Sequence, residues 1–296
     1  MNLKLNHVDA YGVQIAYFES QSGSSSDKTL LFVHGMGCHA RCWDATLKLL
    51  NTSYRTICVE LRGHGRSEKR RPYSWDQFGK DLSSFIQVLD LNPIVAVGHS
   101  LGGHALLQAA AVLTRRFEAL FLLEPVVYYP DAYSDSAFAS AFDSPEDHPF
   151  ARRRLEWNSS EELLAFLQDR NPFKLWDAAV LRDHCTYGLE PAADGQYQLC
   201  CPPLVEAEIA LSVTDTNVHP LLSFVDVPVT IVRAKSAPGF RHPKDTIHSV
   251  TWPQLARNLP QGTDKQLDDV SHFIPMQRPD VVACELNAYL QDPATT

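Results

Sequence analysis

Along the first 126 residues, two patterns of apolar and polar positions take turns, one typical of buried strands and the other of helices. Short apolar runs typical of strands buried in a parallel sheet cover residues 29–35, 54–63, 93–100 and 117–126. Apolar residues recurring at helical spacing predict helices over residues 41–50, 75–91 and 101–116. Two further strand-like runs, 3–10 and 13–20, precede them. Strands and helices alternating in this way predict a parallel sheet wrapped by helices.

The pattern changes at residue 127. Residues 127–222 contain clusters of Pro, Asp and Ser with short helical patterns at 160–170 and 176–185, and little strand character. Strand and helix patterns resume over residues 227–235 (strand), 245–259 (helix), 264–269 (strand) and 278–292 (helix). We therefore predict an α/β fold with a mostly parallel central sheet flanked by helices, built from residues 1–126 and 223–296, and a helical cap inserted as residues 127–222.

Composition and charge limit the classes of binding partner that we expect. The 296 residues are 45% hydrophobic and 21% charged, and the net charge is −9. A negative surface disfavours nucleic acids and anionic membranes as partners. No apolar run approaches the ~18 residues of a membrane span, and the N-terminus has no signal-peptide pattern, so we expect a cytoplasmic protein. The oligomeric state is left open.

The cysteines do not form a recognisable framework. There are seven, at positions 38, 42, 58, 185, 200, 201 and 284. An odd number in a chain of this length predicts reduced thiols rather than disulfides. Cys38 and Cys42 are spaced like half of a metal site, but no second Cys/His cluster with zinc-type spacing accompanies them. We predict no metal and no other cofactor.

A serine between two glycines ends the third of the buried runs. Residues 98–102 read GHSLG, which matches G-x-S-x-G with a predicted strand before it and a helix after it. Small flanking residues allow a strained turn that lifts Ser100 above the sheet edge. The alternative is a tight turn with no chemical role. If Ser100 is instead a nucleophile, the backbone N–H of Leu101 would stabilise the developing oxyanion.

A second oxyanion donor is expected after the first buried strand. Residues 34–37 read HGMG there, and the two glycines allow a close backbone approach. We predict that the N–H of Met36 is this donor. His34 is expected to be a buried, hydrogen-bonded residue that shapes the loop, and is kept as a candidate pocket residue.

Four motifs together resemble the α/β-hydrolase superfamily: HGMG at 34–37, RGHGRS at 62–67, GHSLGG at 98–103 and VSHFIPMQRPD at 270–280. The resemblance implies a serine hydrolase with an inserted lid. It also implies a basic histidine on a loop near the C-terminus, for which His272 fits, with Ser271 where relatives usually have Gly. His242 and His248 are the rivals.

The acid of such a site departs from the usual pattern. Most relatives carry it after the strand that follows the insertion, but residues 231–244 contain no Asp or Glu. Some relatives carry it at the end of the strand before the insertion, where this chain has Glu124. Asp245 is the runner-up. Asp268 and Asp269 are too near His272 in sequence to reach around its ring.

The insertion is rich in aromatic residues, which suits a water-excluding pocket for an apolar substrate. Each ring could equally pack the lid onto the core. The candidate pocket residues are His34, Trp43, Tyr128, Trp157 and Trp176. The function that we predict is hydrolysis of an ester, thioester or lactone of an apolar or aromatic small molecule through an acyl-enzyme. The alternatives are a receptor-like protein that retains the triad, and a C–C hydrolase or acyltransferase of secondary metabolism.

Overall fold

The computed structural model describes residues 3–20, 28–52, 54–134, 142–193, 195–237, 245 and 247–291. Its main sheet has eight strands, which are β1 (Leu3–Ala10), β2 (Val13–Ser20), β3 (Thr29–Val33), β4 (Arg55–Val59), β5 (Ile94–His99), β6 (Phe117–Leu123), β10 (Val229–Ala234) and β11 (Gly262–Leu267). Their spatial order is β1-β2-β4-β3-β5-β6-β10-β11. Only the pairings of β1 with β2 and of β2 with β4 are antiparallel. The prediction of a mostly parallel central sheet is confirmed.

Burial along each strand follows its place in the sheet. Strands β3 and β5 lie at the centre and are buried at every position. Edge strand β1 has only exposed and half-buried positions up to its last residue, Ala10, which is buried. This is the difference expected between a parallel strand covered on both faces and an antiparallel edge strand.

Helices cover both faces of the sheet. Those belonging to the sheet region are α1 (Asp44–Lys48), α2 (Trp75–Val88), α3 (Leu101–Val112), α7 (Ile274–Gln277) and α8 (Pro279–Leu290). Helices α2 and α3 pack through Phe78, Phe85 and Leu106 against one face. On the other face, Trp43 and Leu286 pack with Phe32 of β3. The prediction of flanking helices is therefore confirmed too.

The segment between β6 and β10 contains both helices and strands. Its helices are α4 (Ser160–Leu167), α5 (Ala178–Tyr187) and α6 (Pro203–Leu211), and its strands are β7 (Glu156–Trp157), β8 (Leu189–Pro191) and β9 (Tyr197–Leu199). The strands form a small antiparallel sheet in the order β7-β9-β8. The sequence predicts little strand character here, and these strands of two or three residues are too short to show a period-two pattern.

The helix predicted over residues 245–259 does not form as such. Among residues 245 and 247–259, which the structure describes, only Leu255–Asn258 makes a short 3₁₀ turn. Backbone amides that a helix would use are taken by tertiary partners: Val250 N–H donates to the Glu124 carboxylate and Trp252 N–H to the Val127 carbonyl. Pro253 also lacks the N–H that a helix interior needs.

Across the described ranges, every helix is too short or too polar to cross a lipid bilayer.

Candidate active site

Ser100 lies on a sharp turn between β5 and α3. Its backbone has φ 55° and ψ −117°, in the left-handed region that non-glycine residues rarely adopt. The turn is held because Ser100 N–H donates to Leu123 O on the neighbouring strand (3.0 Å) and Ser100 O accepts from His104 N–H (3.1 Å). The side chain is 6% exposed and borders a large cavity.

Close packing explains the small residues around this turn. A Cβ on Gly102 would lie well inside contact distance of the carbonyl oxygens of Val33 and His34, so α3 could not approach β3 so closely. A Cβ on Gly35 would lie 3.0 Å from the Ser100 Cβ and 2.7 Å from His99 Nδ1. The glycines of both motifs thus bring two loops against the serine.

Glu124 is the first residue after β6, and Ser100 is the first residue after β5. The two residues lie at the same level of the sheet, since His99 and Leu123 are register partners. It too has a positive φ, 51°, and its carboxylate is fully buried. Oε1 accepts from Ala234 N–H (2.6 Å) and Oε2 from Val250 N–H (3.0 Å). Burial raises the pKa of Glu124, but the hydrogen bond and charge of His272, with help from Ser249 and Val250, outweigh burial and lower that pKa below its ordinary value.

His272 lies between these two side chains. Its Nε2 is 3.1 Å from Ser100 Oγ, and its Nδ1 is 3.2 Å from Glu124 Oε2. A buried carboxylate on Nδ1 leaves Nε2 of the neutral ring as an acceptor for the serine proton. Three side chains separated by 24 and 148 positions thus form one hydrogen-bonded line.

The rival residues are engaged elsewhere. Asp245 accepts from His248 Nδ1 (2.6 Å) and from the amides of Ile247 and His248, and these partners hold its pKa at about 2 although burial alone would raise it. Asp269 forms an ion pair with Arg278, and Asp268 accepts from Gln266. His242 lies outside the described residues.

In the loop of residues 35–38, which we call the oxyanion loop, two of the four amides donate within the protein. Gly37 N–H donates to His64 Nε2 (3.1 Å) and Cys38 N–H to Gly35 O (3.2 Å). Met36 borders the cavity beside Ser100, so its amide is the candidate donor of this loop. Leu101 is the first residue of α3, where a backbone N–H has no acceptor within its own helix.

His99 supports His272 from behind, a contact that the sequence reasoning missed. Its Nε2 donates to the backbone carbonyl of His272 (2.9 Å), and their rings are 5.1 Å apart. Burial first, and His272 second, lower the pKa of His99 to about 3, so its ring is neutral. Its position as the variable residue of G-x-S-x-G was the only available signal.

The cavity above Ser100 measures about 1180 Å³. Most of its lining residues come from the insertion, and they include aromatic rings, among them the expected residues Tyr128, Trp157 and Trp176. Phe273 and Trp252 also line it, and neither was predicted. Charged groups line it as well: four arginines (Arg152, Arg153, Arg154, Arg170) and two carboxylates (Glu206, Asp245). We call this space the central cavity.

Two expected pocket residues do not line the central cavity. Trp43 is 1% exposed and packs against Phe32 in the core, with ring centroids 5.3 Å apart. His34 is fully buried; its Nδ1 donates to Gly35 O (2.8 Å) and its Nε2 accepts from Leu61 N–H (3.0 Å). His34 therefore joins the loops after β3 and β4, which agrees with a loop-shaping role and not with a substrate contact.

Comparisons with known proteins give one consistent result. The model of the alpha/beta hydrolase family matches residues 30–286. Lipase LipV of Mycobacterium tuberculosis is 32% identical over 275 residues, which cover 90% of this chain and 95% of the lipase. Non-heme chloroperoxidase CPO-A1 of Kitasatospora aureofaciens is 29% identical over 157 residues, 51% of this chain and little more than half (56%) of that protein.

A solved structure extends the likeness over the whole fold. The crystal structure of E-2-(acetamidomethylene)succinate hydrolase superposes with a TM-score of 0.77 at 22% identity, and the match covers 98% of this chain and 99% of that one.

Proposed function

Because this chain belongs to the alpha/beta hydrolase family, we propose that it is a serine hydrolase that cleaves an ester, thioester or lactone bond of an apolar or aromatic small molecule through an acyl-enzyme. The observation that carries this proposal is the hydrogen-bonded line from Ser100 Oγ through His272 to Glu124, with separations of 3.1 and 3.2 Å. Both distances are within the reach that proton transfer and orientation need.

In the first half of the reaction, His272 Nε2 accepts the Ser100 proton while Oγ attacks the substrate carbonyl carbon. The imidazolium that forms is stabilised by the buried Glu124 carboxylate. Since two backbone amides already hold that carboxylate, it needs no reorganisation when the positive charge appears. The imidazolium then returns the proton to the leaving oxygen or sulfur, and the acyl-enzyme remains.

In the second half, water takes the place of the leaving group. His272 removes a proton from this water, the hydroxide attacks the acyl carbon, and Ser100 leaves as the alcohol. Both tetrahedral intermediates carry an oxyanion, for which we assign the backbone N–H groups of Met36 and Leu101. The position of Leu101 at the start of a twelve-residue helix adds the favourable end of the helix dipole.

The substrate class rests on the wall of the central cavity. Tyr128, Trp157 and Trp176 present rings to it, and such a wall favours an apolar or aromatic acyl group and excludes water. The insertion that supplies these rings would act as a lid. The names of two similar proteins, a lipase and a hydrolase of 2-(acetamidomethylene)succinate, agree with acyl chemistry and differ in the substrate.

The proposal is tested by labelling with a fluorophosphonate, which reacts only with an activated serine. We expect wild-type protein to be labelled and Ser100→Ala to be unlabelled. His272→Ala should lose labelling, whereas the matched control His248→Ala, which removes a histidine paired with Asp245, should keep it. An unlabelled wild type, or a Ser100→Ala variant that still reacts, would reject the assignment.

A burst experiment separates turnover from mere ligand binding. With a p-nitrophenyl ester, an acyl-enzyme pathway releases one equivalent of nitrophenol rapidly and then continues at a steady rate. Binding without steady release would favour the receptor-like alternative.

A further inference from the structure

Two thiols and an imidazole converge next to the oxyanion loop, where Cys38 and His184 line the central cavity. Cys38 ends that loop, Cys42 lies four residues later in the 3₁₀ segment Ala40–Trp43, and His184 comes from α5 of the insertion. One ligand atom from each side chain lies within 4.8 Å of those of the other two. The Cys42 Sγ to His184 Nδ1 distance is 3.7 Å. None of these residues takes part in the reaction proposed above.

The distances between these atoms are close to those between the ligand atoms of a tetrahedral metal site. A zinc ion holds thiolate sulfur at about 2.3 Å and imidazole nitrogen at about 2.0–2.1 Å, so ligand atoms at tetrahedral angles lie about 3.5–3.8 Å apart. The Cys42–His184 pair already has this separation. Small rotations of the side chains would bring the third ligand in from within 4.8 Å.

We propose that Cys38, Cys42 and His184 bind one Zn²⁺ ion through Cys38 Sγ, Cys42 Sγ and His184 Nδ1, with the fourth position directed toward the central cavity. Thiolate and imidazole ligands select zinc over the hard cations Mg²⁺ and Ca²⁺. Two thiolates neutralise the double charge of the ion, so the complex carries no net charge where both cysteines are buried.

His39 holds His184 through the His184 backbone and through ring stacking. Its Nε2 donates to the backbone carbonyl of His184 (3.1 Å), and its ring stacks on the His184 ring at 5.5 Å and 7°. The Trp176 ring meets the His184 ring edge-on at 5.2 Å. The imidazole is thus fixed on two sides with Nδ1 toward Cys42.

The sequence reasoning excluded a metal here because no second Cys/His cluster follows Cys38 and Cys42 at zinc-type spacing. The third ligand is 142 positions away, in another element of the chain. The ion would join α5 of the insertion to the loop that carries Met36, so binding should stabilise the contact between insertion and sheet region. This inference does not depend on the serine chemistry.

Cobalt titration of the reduced, metal-free, full-length protein is the direct test. Co²⁺ bound by two thiolates and an imidazole gives thiolate-to-cobalt charge transfer in the near ultraviolet and tetrahedral d–d bands in the visible. We expect saturation at one equivalent and loss of both signals when Zn²⁺ is added. Cys38→Ser, Cys42→Ser and His184→Gln should each lose the bands, while Cys284→Ser and Cys58→Ser should retain them.

A measurement on the wild-type protein alone tests the site even if the cysteine and histidine variants fail to fold. Zn²⁺ should slow alkylation of Cys38 and Cys42 relative to chelator-treated protein and leave that of the exposed Cys284 unchanged. It should also raise the melting temperature. Absent charge-transfer bands, bands that persist in Cys38→Ser, or equal alkylation rates with zinc and chelator would each overturn the site. Fluorophosphonate labelling in the same samples reports independently on Ser100.

Discussion

Among single residues, Glu124 has the most restricted environment. Its positive φ, complete burial and two backbone donors fix the carboxylate before any substrate arrives. A buried charge of this kind is costly unless it is paired. His272 provides the pair, and the same contact orients the ring toward Ser100.

Replacing this carboxylate by an amide tests whether it is the acid. Oε2 of Glu124 accepts both from Val250 N–H and from His272 Nδ1. The NH₂ group of Gln cannot accept a hydrogen bond, so the imidazole either loses this partner or flips its ring. We expect Glu124→Gln to lower kcat by about 10³- to 10⁴-fold, as the equivalent change does in serine proteases, with the steady rate of nitrophenol release as the measurement.

Asp245→Asn is the matched control, because Asp245 also lines the central cavity but is engaged by His248. Its kcat should stay within about twofold of wild type, in line with an ordinary substitution outside the reacting groups. A large loss in Asp245→Asn together with a small one in Glu124→Gln would move the acid to position 245.

At the scale of elements, the site depends on how closely α3 approaches the sheet. Gly102 lies on the first turn of α3 against the carbonyl oxygens of Val33 and His34. Gly103, its neighbour, meets the Pro125 side chain, where an added Cβ would lie 3.0 Å away. Two adjacent glycines on one helix therefore differ in the room for a methyl group, which would lie well inside contact distance of backbone at Gly102 and only at the 3.0 Å limit at Gly103.

Gly102→Ala should destabilise the fold more than Gly103→Ala. We expect about 1–3 kcal/mol for Gly102→Ala, the usual cost of forcing atoms into a packed core, and a smaller cost for Gly103→Ala, measured by urea unfolding. Fluorophosphonate labelling should fall in the same order, since moving α3 moves Ser100 and Leu101. Equal effects, or the reverse order, would mean that the helix does not depend on contact at Gly102.

Local pattern was enough to predict the elements that build this site, but not the surroundings of each side chain. A motif between strand and helix predicts Ser100, whereas Glu124 is predicted only through the resemblance to relatives that carry the acid at the end of the strand before the insertion. Trp43 was placed in the pocket because it follows the oxyanion loop, but its turn directs the ring to Phe32. The helix predicted over 245–259 does not form because Glu124 and Val127 accept hydrogen bonds from its backbone amides. Contacts between residues so far apart in sequence do not change the local apolar pattern.

The whole molecule combines a negative net charge with arginines around its cavity. The chain carries −9 overall, yet four arginines and two carboxylates line the central cavity. Arg153 pairs with Glu206, and Arg154 with Glu162. Arg170 lies over the Phe166 ring and donates only to a carbonyl there, and within the described residues Arg152 has no hydrogen-bond or ion-pair partner. Two guanidinium groups thus remain available to a substrate.

From this distribution we expect a preference for acyl groups that end in a carboxylate. The test compares p-nitrophenyl esters of one acyl length that end either in a carboxylate or in its methyl ester. Arg152→Gln and Arg170→Gln should each lower kcat/KM for the anionic ester about two- to fivefold, equivalent to about 0.5–1 kcal/mol for an exposed ion pair. The neutral ester should be unaffected, and added salt should reduce the preference because it screens exposed charges. Arg257→Gln, an exposed arginine of the Leu255–Asn258 turn that does not line the cavity, should leave both rates unchanged. If the two cavity variants slow both esters equally, the arginines shape the entrance without recognising charge, and the substrate is apolar throughout.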